Sequence, residues 1–553
     1  MRPRPGGKAT LVLLLPLAAL LLGVLYPAAI LLGRSMTDNM GSAIGLANFS
    51  AYFRTPGLAT SLYHTLGVGV IVAAAVAVLA YALAYAFTHA LVVGDRACRY
   101  LVVLPLSVPS VFFPIGMIYI FGRHGILSGV LGVGNIYGWS GIVFGEIVFI
   151  MPHATLLLVT ALCGVDRRLY LAAQTLGASP WRRFRTITLP QTRNALLRAF
   201  LVAFILAITD FGVPKVLGGD YSMLSTELYT QIIGLQDLGM GSAIGVIMLV
   251  PSLMAFALDL WLVSSHPGQA QTGRYEKPVS AGARDLTFSL FAWGIVTVPT
   301  AIILAAVGGS FVAFWPYDLA PTLANYRFEN SVYNIQPFFN SLEMSAAAAV
   351  AGMAITFAGA YVAVRTGANR LLSLLYRGMA FLSVGIPGTV LGLAFVFAFN
   401  RPENVLQLFY GSRAFLVFYC LIHFYAMGHL ISAAGLASLD FRYEDAGKTL
   451  GVGRLSTFFR VILPLRFPVA LEVAFYFFIN AMTTVSGMVF IFSPDNAPAS
   501  VAMLHFTDTG NYGEAAAMGA LILAATLVAR VAQEVLARRL RRPANRVNLR
   551  YRQ

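Results

Sequence analysis

Long apolar stretches alternate with short polar connections along almost the whole of this chain. Stretches such as residues 239–264 and 513–530 are long enough for α-helices of about 20 residues that cross a bilayer. The pattern predicts twelve such helices, at 9–33, 61–90, 99–122, 139–164, 192–213, 239–264, 286–313, 339–365, 376–399, 413–437, 466–492 and 513–537. The predicted fold class is therefore an all-α polytopic membrane protein.

Composition supports a membrane protein and excludes several other classes. Of the 553 residues, 58% are hydrophobic and 11% are charged, whereas about 25% are charged in soluble domains. The net charge of +15 would suit nucleic acid, but lysine and arginine collect on the cytoplasmic side of membrane proteins, so we expect no nucleic-acid partner. Cys98, Cys163 and Cys420 have neither metal-site nor disulfide spacing. We expect no metal, no cofactor and no catalytic cluster.

The amino-terminal segment and the basic loops predict the orientation. Arg2, Arg4 and Lys8 precede an apolar run over residues 10–32, which is longer than the 7–15 residues of a signal-peptide core. We therefore interpret it as a retained first helix. An even number of helices puts both termini on one side, and the basic residues beside the termini and in alternate loops make that side cytoplasmic.

One polar loop occurs twice in the chain. Residues 171–190, the first loop, read LAAQTLGASPWRRFRTITLP, and residues 445–464, the second loop, read DAGKTLGVGRLSTFFRVILP, 274 positions later. The match extends to LANF at 46–49 and LANY at 323–326. We predict two parallel six-helix repeats, residues 1–270 (core 58–264) and 271–553 (core 336–537), joined by a linker near 265–285.

Each loop is predicted to contain two short helices. The first helix ends at Gly177 or Gly451, because glycine readily takes the positive φ that such a turn requires. The second is amphipathic and is expected to end at Pro190 or Pro464, since proline interrupts a helix. Such helices can simply lie among lipid headgroups, but two copies in matching register favour docking to a partner.

The loops resemble the cytoplasmic coupling loop of ABC importer permeases, whose pattern is Glu-Ala-Ala, three residues, Gly, nine residues, Ile, one residue, Leu-Pro. The matching positions are Ala172, Ala173, Gly177, Ile187, Leu189 and Pro190 in the first loop and Asp445, Ala446, Gly451, Val461, Leu463 and Pro464 in the second. Three positions depart from this pattern. Leu171 stands at the glutamate position of the first loop, whereas the second loop has the shorter Asp445 at its glutamate position and Gly447 at its second alanine position.

This resemblance implies partners and a location. Each loop would dock on one subunit of a cytoplasmic ATPase dimer, and a periplasmic binding protein would deliver the solute. The chain would lie in a bacterial inner membrane. Gly447-Lys448-Thr449 resembles the end of a phosphate-binding loop, but Arg442 stands where the motif needs its first glycine. We therefore expect ATP hydrolysis in a separate subunit and no enzyme activity in this chain.

The solute is indicated by resemblance and by polar residues near the fifth span of each repeat. Residues 209–234 and 480–504 resemble fused permeases that import 2-aminoethylphosphonate, and relatives of the same architecture import ferric iron, which is the alternative. Candidate path residues are Thr209, Asp210, Asn480, Thr483, Thr484 and Ser486. Hydroxyl groups also hold membrane helices together, whereas an ionisable group such as Asp210 is usually functional unless it lies at a hydrated mouth.

Other ionisable residues in the predicted spans are expected to be hydrogen-bonded packing groups or residues near helix ends rather than ligands. They are Glu146, His153, His423, His429 and Glu472. An ion-coupled secondary transporter remains an alternative function, but it requires buried charges that titrate, and most charge here lies on the cytoplasmic side. A membrane enzyme or sensor would need a catalytic or signalling cluster, which the sequence lacks.

Overall fold

The computed structural model describes residues 7–128, 136–264, 280–329, 332–365 and 369–550, so most of the predicted linker lies outside the described residues. The chain forms two compact units. The second-loop unit comprises residues 1–34, 332–502 and 520–553, and the first-loop unit comprises residues 35–331 and 503–519.

Helices dominate the amino-terminal half of the chain. The α-helices are Gly7–Leu20, Tyr26–Arg34, Ala47–Arg54, Pro56–His89, Asp95–Val102, Phe112–Phe121, Trp139–Cys163, Arg167–Thr175, Pro180–Arg183, Leu189–Thr209, Gly212–Leu217, Leu224–Tyr229 and Leu238–Ser264. Short π-helical turns occupy Leu21–Leu25, Phe184–Thr188 and Thr230–Gly234, and a 3₁₀ turn occupies Leu104–Ser107.

The carboxy-terminal half follows the same plan with one small hairpin. Its α-helices are Gly282–Gly309, Gln336–Arg365, Arg370–Leu382, Gly388–Phe399, Arg413–His423, Tyr425–Ala437, Arg442–Thr449, Arg454–Thr457, Leu463–Thr483, Met488–Ile491, Ala499–Asp508 and Tyr512–Arg550. A π-turn lies at Phe458–Ile462, and 3₁₀ turns lie at Ala324–Tyr326, Ser383–Gly385, Val405–Phe409 and Pro494–Asn496. Strands Val312–Phe314 and Asp318–Pro321 pair antiparallel.

The all-α membrane fold is confirmed, although several predicted spans are broken. Among the described residues, nine helices are long and apolar enough to cross a membrane, or eleven if two bent pairs each count as one span. The predicted span 99–122 is wrong as a single helix, because it divides into Asp95–Val102, a 3₁₀ turn and Phe112–Phe121. Pro105 and Pro109 lie at this break, where proline removes backbone donors. The predicted span 376–399 bends by 112° just before Gly388.

The first helix of each repeat packs on helices of the other repeat. In the second-loop unit, Gly23 of the amino-terminal helix lies against Ile422, and the Tyr26 ring meets Phe399 edge to face with centroids 5.9 Å apart. In the first-loop unit, helix Gly282–Gly309 packs on Phe112–Phe121. The compact units therefore exchange their first helices relative to the predicted repeats. The repeat boundary near residue 270 stays a prediction about sequence.

Gly116 lets helices Phe112–Phe121 and Gly282–Gly309 approach closely. A Cβ atom on Gly116 would overlap the backbone carbonyl oxygen of Ile302, which cannot rotate away. We expect Gly116→Ala to destabilise the chain by about 1–3 kcal/mol through overpacking, measured as the free energy of unfolding in micelles. Gly294, on the same partner helix, has open space around its Cα, so Gly294→Ala is the matched control. Equal stability of the two variants would contradict this packing account.

Candidate functional site

Both loops contain the same glycine turn. Gly177 and Gly451 have φ angles of +70° and +68°, which confirms the predicted positive φ. In the first loop the Ala178 amide donates to the Ala173 carbonyl at 2.9 Å, and in the second the Val452 amide donates to the Gly447 carbonyl at 2.8 Å. These bonds satisfy carbonyls that a helix end leaves unpaired, so the two copies fold alike in backbone as well as in sequence.

The prediction that Pro190 and Pro464 end a helix is wrong. The chain remains helical from Pro180 to Thr209 and from Arg454 to Thr483. A π-turn precedes each proline: the Leu189 amide donates to the Phe184 carbonyl, five residues back, as does Leu463 to Phe458. Each proline thereby falls at the start of a new α-helical segment, where its missing donor is tolerated. The second helix of each loop is thus continuous with the fifth span.

Each loop presents apolar side chains to solvent around its glycine turn. Leu176 and Leu450, at equivalent positions, are 85% and 78% exposed, and Trp181 and Leu455 are 69% and 66% exposed. In the second loop a groove of about 470 Å³ lies between its two helices. Exposed apolar patches of this kind mark interaction surfaces. We name these four residues the docking surface. The sequence repeat pairs Leu176 with Leu450, but no local pattern marks either leucine as functional.

The departures of the second loop from the family pattern have local explanations. A Cβ on residue 447 would lie only 2.7 Å from the Thr457 hydroxyl oxygen, so glycine lets the two short helices pack together. Asp445 is exposed and accepts a hydrogen bond from the Lys448 ammonium at 2.7 Å. That bond and the lysine charge hold the pKa of Asp445 below its usual value, so this exposed carboxylate is ionised at neutral pH.

An aromatic contact connects each loop to the second span of its own repeat. The rings of Tyr85 and Phe184 lie 5.5 Å apart between centroids, and those of Tyr361 and Phe458 lie 4.6 Å apart. All four positions match between the repeats. Each loop therefore packs directly against a membrane-spanning helix.

A buried ion pair reinforces this connection beside the second loop. Arg365, the last residue of helix Gln336–Arg365, is 6% exposed, and Glu444 is 8% exposed. The guanidinium donates to both Glu444 oxygens and to the carbonyls of Leu436 at 3.0 Å, Leu439 at 2.6 Å and Asp440 at 2.8 Å. These five bonds use every guanidinium donor. Arg365 thus joins its own helix to the end of one neighbour and the start of another.

The first repeat has a neutral pair at the equivalent positions. His89 and Tyr170 replace Arg365 and Glu444, and their Nε2 and hydroxyl oxygen lie 3.3 Å apart. The Tyr170 hydroxyl also bonds to the Thr188 hydroxyl at 2.7 Å. Burial raises the pKa of Tyr170 to about 12, so it stays uncharged. The first loop is therefore held to its second span by a weaker contact.

The predicted path residues of the second repeat mostly bond to their own helix. Asn480 donates to the Tyr476 carbonyl at 2.8 Å, and Thr483 donates to the Ile479 carbonyl at 2.9 Å. The Thr484 carbonyl accepts from a serine hydroxyl, and Ser486 lies against Gly388 at the bend between two helices. This bonding pattern is typical of helix packing, so a path role for these side chains stays a prediction.

In the first repeat Thr209 likewise bonds to its own helix, but Asp210 does not. The Thr209 hydroxyl donates to the Ile205 carbonyl at 2.8 Å. Asp210, half-buried, follows the end of that helix, where its carboxylate accepts from the Val213 amide at 2.8 Å. The helix from Pro180 to Thr209 has 30 residues, which puts Asp210 about 45 Å from Pro180, near the glycine turn of the first loop.

The expectation that other ionisable residues are hydrogen-bonded packing groups is only partly correct. His429 forms a hydrogen bond between its Nδ1 atom and the Tyr376 hydroxyl at 3.0 Å. Within the described part of the chain, no N–H or hydroxyl group donates to either buried Glu146 oxygen, and the Nδ1 atoms of His153 and His423 are buried without a hydrogen-bond partner. Buried polar groups are normally paired. Glu146 is therefore an exception that a packing role does not explain.

Comparison with known proteins identifies the family. A family model described as "Binding-protein-dependent transport system inner membrane component" matches residues 77–265 and 355–542. Each match lies within one predicted repeat, and together they cover more than half of the chain.

Individual relatives share this family. A ferric transport system permease protein of Actinobacillus pleuropneumoniae is 27% identical over 76% of this chain and 63% of its own length. A putative ferric transport system permease protein of Haemophilus influenzae is 27% identical over 71% of this chain and 64% of its own length. The chain thus spans somewhat less than two thirds of these two relatives. A probable ABC transporter permease of Sinorhizobium fredii is 27% identical over 72% of this chain and 73% of its own length.

Two membrane-spanning repeats with identically folded loops agree with these matches over both halves. The chain belongs to the family of binding-protein-dependent transport system inner membrane components.

Proposed function

We propose that this chain is the permease subunit of an ABC importer for ferric iron. The docking surface supports the first part of the proposal. Each copy exposes a leucine beside a positive-φ glycine. Each also exposes a second apolar side chain, Trp181 or Leu455, on the helix that continues into a membrane span. Each copy would bind one subunit of a cytoplasmic ATPase dimer, and a periplasmic binding protein would deliver the solute.

The transport step would use the loops as levers. Closure of the ATPase dimer on ATP would draw the docking surfaces together, and each continuous helix would carry that movement about 45 Å to the far end of its span. The contacts of Tyr85 with Phe184 and of Tyr361 with Phe458 would move the second span with it. The translocation path would then open alternately to the two sides of the membrane.

Ferric iron is preferred because two relatives are named for ferric transport and together carry the likeness over most of this chain. The sequence resemblance of residues 209–234 and 480–504 favoured 2-aminoethylphosphonate, but the relatives do not support that solute. A polar path through Asp210 suits a cation, since a carboxylate attracts positive charge. Under this proposal Asp210 belongs to the path, and the other predicted path residues are its polar neighbours.

The test is uptake of radioactive ferric iron by cells that express the chain with its ATPase and binding protein. We expect iron to accumulate only when all three proteins are present and ATP is available. Leu176→Asp with Leu450→Asp is the matched inactive control, because it puts charge on the docking surface without altering the spans. Iron uptake by that double variant at the wild-type rate would refute the docking part. Uptake of 2-aminoethylphosphonate but not of iron would refute ferric iron as the transported solute.

A further inference from the structure

A pair of carboxyl groups, that of Glu146 fully buried and that of Asp210 half-buried, lies in the first-loop unit at the end remote from the loop. Glu146, within helix Trp139–Cys163, is 0% exposed, and among the described residues no N–H or hydroxyl group donates to either of its oxygens. Its carboxyl group lies within hydrogen-bonding range of the Asp210 carboxyl group. Its carboxylate interacts electrostatically with that of Asp210. Burying one unpaired carboxylate is costly, and placing a second beside it adds repulsion. A packing role does not explain why the chain holds both.

Two breaks in helical structure meet at this pair. Asp210 ends the helix Leu189–Thr209, and Ser110, beside Asp210, lies just before helix Phe112–Phe121. Gly212 lies so close to Ser110 that a Cβ there would come within 2.7 Å of the Val111 amide nitrogen. Irregular backbone at membrane depth is tolerated where it is buried in protein or lines a cavity, and transporters place ion sites at such interruptions.

The helix that carries Glu146 is held directly against this break. A Cβ on Gly145 would lie 2.8 Å from the Val213 side chain and 3.3 Å from the Met117 sulfur. The Val213 amide in turn binds the Asp210 carboxylate. The positions of the two acidic groups are therefore defined by tightly packed neighbours rather than by a flexible loop.

Protein cations do not neutralise the pair. Lys215, five residues after Asp210, is bound to Asp508 at 3.2 Å and lies 5.0 Å from the Tyr229 ring centre. Within the described ranges, neither Glu146 nor Asp210 forms an ion pair with lysine or arginine. Among the described residues the pair thus has no cationic partner, and a cation from outside the protein would bind in place of the proton that the two carboxyl groups share.

The second repeat lacks this chemistry at the corresponding break. There Gly388 lies against Ser486, and a Cβ atom added to Gly388 would lie 3.2 Å from His423 Nε2. The Tyr419 hydroxyl donates to the Gly388 carbonyl at 3.0 Å. Thr484 takes the place of Asp210. The acidic pair is thus a feature of the first repeat and was not imposed by duplication of the fold.

We propose that Glu146 and Asp210, with the Ser110 hydroxyl, form a cation-binding site that receives the transported cargo. Oxygen donors of this kind suit hard cations such as ferric iron, and an organic ammonium group would be bound by the same charge. The proposal rests on the proposed importer function and adds the residues that select a positively charged cargo over an oxyanion.

Substitution to the matching amides separates cation binding from a shared proton. Glu146→Gln keeps the shape of the side chain and mimics a protonated glutamate, so it would leave transport unchanged if the pair merely shares a proton. If the pair binds cargo, we expect Glu146→Gln and Asp210→Asn each to lower ferric iron uptake roughly tenfold or more, through loss of a charge-assisted contact. Glu343→Gln, which alters an exposed ion pair with Arg413, should leave uptake unchanged.

The experiment measures initial uptake of radioactive ferric citrate and, separately, of radioactive 2-aminoethylphosphonate, in cells with the complete transporter. Surface-normalised amounts of each variant and ATPase co-purification show that the complex has assembled. If the wild-type protein takes up iron and both amide variants do so at the same rate, the cation site is overturned while the proposed function stands. Uptake of 2-aminoethylphosphonate alone, lowered by both variants, would remove iron as cargo and support the cation site. Unimpaired uptake of either solute in both variants overturns the proposal.

Discussion

Replacing Arg365 with alanine is expected to lower the free energy of unfolding by about 3–5 kcal/mol, the largest effect on stability that we anticipate. The substitution leaves the Glu444 carboxylate buried without a partner and frees three backbone carbonyls. It should also lower transport per ATP hydrolysed, because Glu444 lies immediately before the second loop. Equilibrium unfolding of the full chain in mixed micelles measures the first effect, and the ratio of uptake to ATP hydrolysis measures the second.

The first repeat provides the matched control for this prediction. His89→Ala removes a long hydrogen bond to Tyr170, a hydrogen bond with the Thr88 hydroxyl and a stacking contact with Tyr85. Each neutral hydrogen bond is worth about 0.5–1.5 kcal/mol, and no buried charge is left unpaired. A combined Arg365→Met and Glu444→Leu variant removes both charges and should recover much of the stability lost by Arg365→Ala. Similar small losses for Arg365→Ala and His89→Ala would mean that the buried ion pair is not what holds the second loop to its span.

Replacing Gly177 and Gly451 together with valine is expected to abolish solute uptake and binding of the ATPase while leaving membrane insertion intact. Both glycines have positive φ, which costs a β-branched residue about 1–3 kcal/mol at each position. Nothing lies within 4 Å of an added Cβ at either site. The expected damage is therefore a change of backbone conformation that misplaces the docking surface. Co-purification with the ATPase and the uptake rate measure it.

Asparagine separates backbone conformation from side-chain bulk at the same positions. It adopts positive φ more readily than other residues with a side chain, so Gly177→Asn with Gly451→Asn should retain most ATPase binding. Equal loss in the asparagine and valine variants would show that bulk on the docking surface, rather than the turn, decides recruitment. Unchanged co-purification of the valine variant would reject docking through these turns.

The two repeats hold their loops with different strength, and this difference bears on how force is shared. Arg365 and Glu444 form a charged, fully bonded connection, whereas His89 and Tyr170 form a neutral one. If both loops receive the same movement from the ATPase, the second repeat should follow it more rigidly. The cation site that we propose lies in the first repeat, whose connection is the more compliant.

The fold class and the paired loops could be predicted from sequence because they depend on local and repeating signals. Apolar stretches of helical length predict spans wherever the chain is uninterrupted, and a glycine between two short helices predicts a positive-φ turn. The proline before the fifth span was misinterpreted because proline usually ends a helix. Its place after a π-turn depends on hydrogen bonds that no local pattern indicates.

What only the tertiary structure decided were the contacts between residues distant in sequence. The exchange of first helices between repeats, the guanidinium of Arg365 satisfied by five acceptors, and the meeting of Glu146 with Asp210 all join separate segments. In a bilayer every apolar helix face is nearly equivalent, because lipid tails are as apolar as leucine. Hydrophobic pattern alone therefore determines that these helices span the membrane, while close packing and polar pairing determine which of them meet.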